Sequence, residues 1–314
     1  MIDPRAANLL AAAYRVGAPR MHEMSVEQAR HAFRKLLAVY GAPAEPVASV
    51  LDVPMPRPHA AGGTLFGRLF RPHCSPAHHR LPVLLWFHGG GWTLGDVESY
   101  DPLCRALANA SGVAVFSVDY RLAPEHPFPA AVDDACFALD WLAAHGADIG
   151  VDTHKIAIGG DSAGGGLSLA VALKLHDIKE ELPACLWLVS PWTDLTMSGS
   201  TLITKDVVDP LIHKGYLREL ADAYLGSASD RKDPRVSPLF ANLTGMPPLL
   251  IQVGSAETLL DDAIRLAVAA GEADVSVTLE IWPHMIHAWH LWNAHLEPGQ
   301  QALGNAGSFM REHL

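Results

Sequence analysis

Basic residues, cysteines and long apolar runs are all scarce in this 314-residue sequence. Lysine and arginine number 23 against 34 aspartates and glutamates, and the formal net charge of −11 argues against nucleic acid and anionic membrane as main partners. The sequence contains no run of about eighteen apolar residues, so no membrane span is predicted. The four cysteines lie far apart without C-x-x-C spacing, so neither a disulfide framework nor a zinc site is expected.

The N-terminal residues lack the basic stretch and short apolar core of a secretory leader. Together with the dispersed cysteines, this predicts a protein of the reducing cytoplasm. The length allows one large α/β domain or two ordinary ones. Because 49% of the residues are hydrophobic and 18% are charged, we expect a protein with a sizeable core.

Short apolar runs alternate with helical patterns through most of the chain. This alternation predicts parallel strands joined by helical crossovers, and hence an open α/β sheet. The predicted strands are residues 47–53, 67–71, 83–87, 113–118, 156–158, 184–190, 247–254 and 275–282. In such a sheet, ligands bind beyond the carboxyl ends of the strands.

Two stretches depart from the alternation. Residues 1–45 carry two helical patterns before the first strand, and Ser25 with Gln28 predicts a capping box for the second helix. Residues 195–229, called here the inserted segment, contain polar turns and one helical pattern at 211–225. We expect these two stretches to pack together as a lid over a core formed by residues 46–194 and 230–314.

Residues 160–164 read Gly-Asp-Ser-Ala-Gly and lie between a predicted strand and a predicted helix. The pattern G-x-S-x-G in that setting is the nucleophile elbow, where a serine occupies a strained turn. Gly160 and Gly164 are small enough to let strand and helix approach closely. Ser162 is therefore the candidate nucleophile, and the alternative is a glycine-rich turn with a solvated serine. No G-K-[ST] follows, which disfavours a phosphate loop.

A second glycine-rich stretch, residues 88–92 (HGGGW), follows directly after the predicted strand 83–87. Three consecutive glycines free the backbone to turn and to present N–H groups where negative charge develops. We expect this glycine loop to form an oxyanion hole. The alternative is a merely flexible connection.

Taken together, these patterns resemble the hormone-sensitive-lipase-like carboxylesterases, the H-G-G-G branch of the α/β hydrolases. Further matches occur at residues 119–126 (DYRLAPEH), 190–192 (SPW), 233–238 (DPRVSP) and 284–287 (HMIH). The resemblance implies an eight-stranded, mostly parallel sheet flanked by helices, with a helical cap built from the N-terminus and the inserted segment. It also implies hydrolysis of short- to medium-chain acyl esters without a cofactor or a metal.

The chain order Ser…acid…His of this fold makes Ser162 the nucleophile and His287 the base. His284 is the competing base, but the resemblance places the base at the second histidine of its motif. Glu257 occupies the acid position of the family's Asp-x-Leu-x-Asp pattern, with Asp261 at the later position. Glutamate is a departure from the family, yet its longer carboxylate can still orient an imidazole. We therefore expect Glu257 as the acid, with Asp261 as the alternative.

The resemblance and the chemistry of the elbow together predict how the site is completed. The N–H groups of Gly89, Gly90 and Ala163 are expected to hold the oxyanion. His88 and Gly91 are expected to support the loop.

Trp92, Trp192 and Met285 are candidates for an acyl pocket, although such residues serve equally well as core packing. The expected partner is a small-molecule ester, and the resemblance implies a homodimer formed through residues 275–282. Alternatives on the same triad are a lipase for long acyl chains, an amidase or a lactonase. A non-catalytic ligand-binding receptor on the same scaffold should have lost a member of the triad.

Overall fold

The computed structural model describes residues 2–13, 20–57, 63–75, 79–227 and 230–314. The predicted core and cap ranges also include residues 1, 14–19, 58–62, 76–78 and 228–229, which lie outside the described residues. The strands are β1 Ser49–Pro56, β2 Thr64–Arg71, β3 Leu81–Phe87, β4 Ala114–Val118, β5 Val151–Asp161, β6 Leu186–Val189, β7 Leu249–Gly254 and β8 Val277–Trp282. The helices are α1 Pro4–Ala13, α2 Val26–Tyr40, α3 Asp101–Ser111, α4 Ala130–His145, α5 Ala163–Ile178, α6 Thr201–Thr204, α7 Lys214–Leu225, α8 Leu260–Glu272 and α9 Glu297–His313.

All eight described strands belong to one sheet, in the order β1-β2-β4-β3-β5-β6-β7-β8. The β1–β2 and β2–β4 pairs are antiparallel, and every pair from β4 through β3 to β8 is parallel. Central strands such as β4 and β6 are buried along their whole length, which explains their continuous apolar sequences. The predicted eight-stranded, mostly parallel α/β sheet is confirmed.

Helices cover both faces of the sheet. Leu85 and Phe87 of β3 point into the core that contains α4, α5 and α8, whereas Leu84 and Trp86 point into the core that contains α3 and α9. This follows from the alternation of side chains along a strand. Because these strands are parallel, their carboxyl ends lie at the same edge of the sheet, and the predicted site residues lie there.

Helix α2 begins with the predicted capping box. The backbone N–H of Gln28 donates to Ser25 Oγ at 3.3 Å, and the N–H of Ser25 donates to Gln28 Oε1 at 3.1 Å. The reciprocal bonds satisfy two N–H groups that a helix start otherwise leaves unpaired.

Arg30 of α2 ties the N-terminal helices to the core. Its Nε donates to the carbonyl of Thr93 at 2.8 Å and its Nη2 to the carbonyl of Ala123 at 2.9 Å. The same guanidinium forms a forked ion pair with Glu125 at 2.9 and 2.7 Å. Because Thr93 directly follows the glycine loop, α2 is fixed beside that loop.

The longer of the two helices in the inserted segment starts later than its sequence pattern predicts. Helix α7 begins at Lys214, not at Leu211. The N–H groups of Leu211 and Ile212 instead donate to the Asp209 carboxylate, which holds these residues in a bend before the helix. A side chain that accepts backbone N–H groups competes with helix formation.

Candidate active site

Ser162 lies at the turn between β5 and α5, with φ of 54° and ψ of −118°. Two glycines make the turn feasible, since a Cβ at Gly160 or Gly164 would lie 2.4 or 1.9 Å from the carbonyl oxygen of Phe87. The N–H of Ser162 donates to the carbonyl of Val189 in β6 at 2.8 Å, which anchors the turn to the sheet. The serine is thus held in the strained geometry of a nucleophile elbow.

His287 and Glu257 are in direct contact. His287 Nδ1 lies 2.6 Å from Glu257 Oε2, and Glu257 is completely buried. Burial alone would lower the pKa of His287, but the nearby charges of Glu257, Asp209 and Asp161 outweigh that effect and raise it above its usual value. His287 lines the same cavity as Ser162.

Ser190 fixes both partners of this contact. Its Oγ donates to Glu257 Oε1 at 2.8 Å and accepts the N–H of Ala288, next to His287, at 3.1 Å. Glu257 Oε1 also accepts the N–H of Gly254 at 2.6 Å. The sequence offered two signals for Ser190: it is a polar residue directly after the apolar strand β6, and it begins the 190–192 match to the family.

The alternative acid and base lie elsewhere. Asp261 is in the first turn of α8, where its Oδ2 accepts the N–H of Ser200 at 2.6 Å. The backbone N–H of His284 donates to Ser255 Oγ at 2.8 Å, and His284 does not belong to the lining of the cavity that contains Ser162. Of the candidates, Glu257 and His287 are the pair that meets.

The glycine loop corrects one prediction. The N–H of Gly89 donates to Asp161 Oδ1 at 2.9 Å and approaches the Tyr100 hydroxyl at 3.1 Å, while Tyr100 donates to Asp161 Oδ2 at 2.8 Å. The prediction of Gly89 as an oxyanion donor is wrong, because its single N–H is already directed at a buried carboxylate. Burial raises the pKa of Asp161 to about 6, although the hydrogen bonds from Tyr100 and Gly89 oppose the shift.

Gly90 and Gly91 line the cavity beside Ser162. Their φ values of 107° and 62° fall in the left-handed region that favours glycine. Within the part of the chain that the structure describes, no hydrogen bond uses the N–H of Gly90, Gly91 or Ala163. Ala163 is the first residue of α5, where unpaired N–H groups and the helix dipole favour negative charge.

His88 is buried against the loop that it precedes. Its ring stacks on Tyr120 with a centroid separation of 4.3 Å, and its Nδ1 lies 2.8 Å from the Gly89 carbonyl. The Tyr120 hydroxyl donates to the His88 carbonyl at 2.6 Å. Burial lowers the pKa of His88, so the ring is neutral and packs as part of the support for the loop.

The cavity above Ser162 has a volume of about 80 Å³ and mostly apolar walls. The N-terminal region and the inserted segment both contribute to it, together with Trp192. The lining residues from the N-terminal region are Met21, Phe33 and Leu36, and those from the inserted segment are Leu211, Ile212, Tyr216, Leu217 and Leu220.

Two predicted pocket residues, Trp92 and Met285, do not belong to this lining. Trp92 stacks on Tyr224 with a centroid separation of 4.2 Å and packs against Trp192 in the core. Met285 is buried in the core on the other face of the sheet, which contains α3 and α9. Their apolar bulk serves packing, and of the three candidates only Trp192 faces the cavity.

Among the described residues, no three histidine, cysteine, aspartate or glutamate side chains are arranged to hold a metal ion. No described helix combines the length and the apolar character needed to cross a membrane. All four cysteines are free thiols, and three of them are buried.

Known proteins are similar to this chain in both sequence and fold. The family described as the alpha/beta hydrolase fold matches residues 84–291. An acetyl-hydrolase of Streptomyces hygroscopicus is 42% identical over 244 residues, which cover 76% of this chain and 80% of the relative.

Two solved structures also align along the whole chain. An esterase of the bacterial hormone-sensitive lipase family has a TM-score of 0.86 and 35% identity, covering 100% of this chain and 99% of its own. An α/β hydrolase enzyme from the metagenome of Lake Arreo, Spain, has a TM-score of 0.92 and 32% identity, covering 100% and 98%. With its elbow, glycine loop and buried Glu257–His287 pair, the chain belongs to the α/β-hydrolase fold family, in the hormone-sensitive-lipase-like branch of carboxylesterases.

Proposed function

We propose that this carboxylesterase hydrolyses short- to medium-chain acyl esters through an acyl-enzyme formed on Ser162. The observation that carries the proposal is the 2.6 Å contact between His287 and Glu257 at the cavity that also contains Ser162. A buried carboxylate on one ring nitrogen holds the imidazole in the tautomer whose other nitrogen can accept a proton.

The chemistry then follows in two halves. His287 Nε2 takes the hydroxyl proton as Ser162 attacks the ester carbonyl, and Glu257 stabilises the imidazolium that forms. The imidazolium returns the proton to the departing alcohol. Water, activated by the same imidazole, then releases the acid and regenerates Ser162.

We assign the oxyanion hole to the N–H groups of Gly90, Gly91 and Ala163. These groups are unpaired within the described residues, and all three belong to segments beside the nucleophile. Such donors stabilise the negative charge of the tetrahedral intermediate, and each is worth about 2.7–4 kcal/mol. Gly91 therefore takes the role that sequence reasoning gave to Gly89.

The substrate class is inferred from the walls of the cavity. Side chains of the N-terminal region and of the inserted segment close in over Ser162, and this enclosure favours a small acyl group over the long chain of a lipase substrate. The side chains that these two regions contribute to the described lining are mostly apolar, so we propose a neutral ester as the preferred substrate. We propose that α1, α2 and the inserted segment together act as the cap that sets this limit.

The test is the hydrolysis of p-nitrophenyl esters from acetate to palmitate by the wild-type protein and the Ser162→Ala variant. We expect activity on short chains that disappears in Ser162→Ala. A folded wild-type protein without activity on any ester would favour an amide, a lactone or the receptor alternative. Activity that survives in Ser162→Ala would exclude the proposed mechanism.

We also propose a homodimer formed through β8. This strand lies at the edge of the sheet, pairs with β7 on one side, and carries Ile281 with 43% of its surface exposed. An edge strand with unpaired backbone groups is a template for pairing with a second copy. Light scattering of wild type and of an Ile281→Lys variant tests this, and a monomeric wild type would exclude it.

A cytoplasmic location completes the proposal. Free thiols persist in reducing compartments, and all four cysteines here are unpaired. Cell fractionation of the source organism tests it, and recovery of the protein outside the cytoplasm would contradict it.

A further inference from the structure

A carboxylate that sequence reasoning did not single out lies in the inserted segment between α6 and α7. Asp209 is only 2% exposed. No ion pair connects it to a lysine, arginine or histidine within the described residues. A buried carboxylate without a cationic partner is costly unless hydrogen bonds satisfy it.

Four neutral donors satisfy Asp209, and they come from two directions. Oδ2 accepts the N–H of Thr258 at 2.8 Å and its hydroxyl at 3.3 Å. Oδ1 accepts the N–H of Leu211 at 2.9 Å and that of Ile212 at 3.1 Å. Only an acceptor with two free oxygens can meet all four donors at once.

Through these partners, Asp209 contacts both the turn that bears Glu257 and the wall of the cavity. Thr258 directly follows Glu257, the acid in contact with His287. Leu211 and Ile212 are in the wall of the cavity. One carboxylate therefore fixes both the turn that bears the acid and the wall that faces the substrate.

A second contact from the inserted segment strengthens this arrangement. The hydroxyl of Thr201 donates to the carbonyl of Thr258 at 2.7 Å and accepts the N–H of Asp261 at 2.9 Å. The turn after β7 is thus held by the inserted segment at Thr258 through both its N–H and its carbonyl. Without these bonds, the buried backbone groups of the turn would lack partners.

We infer that Asp209 is a positioning residue of the esterase, which holds the turn bearing Glu257 in register with His287 and with the cavity wall. The inference rests on the proposed function. It makes the inserted segment part of the catalytic arrangement and not only a cover over it.

The charge of Asp209 supplies a readout that pure packing would not change. The acidic groups acting on His287 are Glu257, Asp209 and Asp161, and each raises the pKa of the imidazole against the effect of burial. Burial raises the pKa of Asp209 itself, while the His287 charge and the N–H groups of Leu211, Thr258 and Ile212 oppose that shift. At pH values where Asp209 is ionised, removing its charge lowers the pKa of His287. Since the neutral imidazole is the base, the acidic limb of kcat/KM moves to lower pH in such a variant.

The test compares Asp209→Asn with Asp206→Asn. The Asp206 carboxylate also lies in the inserted segment, where it accepts the N–H of Lys214 at 2.6 Å, and among the described residues it makes no hydrogen bond to the turn after β7. With p-nitrophenyl butyrate, we expect Asp209→Asn to lower kcat by about tenfold or more, because a hydrogen-bonded buried charge is lost. We expect its acidic limb to move to lower pH, and Asp206→Asn to stay within about twofold of wild type.

An unchanged kcat and acidic limb in folded Asp209→Asn would overturn the inference. A rise in KM alone would also overturn it, because Asp209 would then act only on the cavity wall. If Asp209→Asn does not fold by circular dichroism, Thr258→Val replaces it, since valine keeps the shape but loses the hydroxyl bonded to Asp209. A severalfold loss of kcat with unchanged KM then supports the inference, and wild-type kcat contradicts it.

The same series separates this inference from the proposed function. A wild-type protein without Ser162-dependent hydrolysis removes the basis of the inference and overturns both. A wild-type protein with that activity, together with an unaffected Asp209→Asn variant, overturns only the role of Asp209.

Discussion

The hydroxyl of Ser190 donates to the carboxylate of Glu257 at 2.8 Å and at the same time accepts the backbone N–H of Ala288 at 3.1 Å. One small side chain at the end of β6 therefore connects the turn after β7 with the turn after β8. These turns carry the proposed acid and base. Because both bonds are buried, they fix the relative position of Glu257 and His287 more firmly than exposed contacts would.

Ser190→Ala should lower kcat by about tenfold with little change in KM. The variant leaves Glu257 one donor short and the Ala288 N–H without its partner, and a buried hydrogen bond to a charged group is worth about 1.5–3 kcal/mol. Steady-state kinetics and chemical unfolding measure both effects. The control is Ser111→Ala, which removes a buried hydroxyl bonded to the Leu107 carbonyl at 2.7 Å and outside the lining of the cavity. If both variants lose stability but keep full activity, Ser190 has no positioning role.

Glu257→Gln should reduce kcat by about 10²–10⁴-fold, because an amide cannot stabilise the imidazolium and presents the wrong hydrogen-bonding group to His287. Asp261→Asn is the matched control, since Asp261 bonds to Ser200 and not to the histidine. Its activity should stay close to that of wild type. The reverse order of losses in the p-nitrophenyl butyrate assay would transfer the role of the acid to Asp261.

The sheet and the position of the nucleophile can be predicted because both depend on patterns of residues that are close in sequence. Apolar runs and their spacing identify the strands of the sheet, and the elbow identifies Ser162. Family order also led to Glu257 and His287, which the structure places 2.6 Å apart. These features depend on residues close in sequence or on a motif whose geometry is fixed.

The sequence could not predict features that depend on where a backbone N–H or a side chain points in the folded protein. The N–H of Gly89 turns toward Asp161, 72 residues away, so only the folded backbone reveals that this N–H is occupied. Trp92 and Met285 pack in the core because apolar side chains suit a core and a pocket equally well. Asp209 lies in a segment without periodicity, and its partner Thr258 is 49 residues away.

Leu220→Ala should shift the substrate preference toward longer acyl chains. Leu220 of α7 lines the cavity and packs on the glycine loop so closely that a Cβ at Gly91 would lie 2.6 Å from its Cδ1. Removing the isobutyl group enlarges the cavity, and each methylene accommodated is worth about tenfold or more in selectivity. The ratio of kcat/KM for p-nitrophenyl octanoate to that for the butyrate should therefore rise.

The control for Leu220→Ala is Val207→Ala, which removes carbon from a side chain 93% exposed in the same inserted segment. Its selectivity ratio should equal that of wild type. An unchanged ratio in folded Leu220→Ala would place the acyl group elsewhere and contradict the proposed cap.

Asp262→Asn should change how stability depends on pH. Burial raises the pKa of Asp262 from 3.8 to about 7, with hydrogen bonds from the Thr193 and Asp194 N–H groups opposing the shift and the Asp194 charge adding to it. The folded state therefore binds this proton more tightly than the unfolded state does. Stability from this group is fully present below pH 3.8 and declines as pH rises toward 7.

Asparagine carries no charge, and its carbonyl oxygen can accept the same two N–H groups. We expect the difference in free energy of unfolding, Asp262→Asn minus wild type, to increase by about 1–3 kcal/mol as the pH rises from 5 to 8. Urea unfolding at several pH values measures this difference. Parallel curves for the two proteins would mean that Asp262 stays ionised throughout, since only a proton taken up on folding makes the wild-type curve fall relative to the variant.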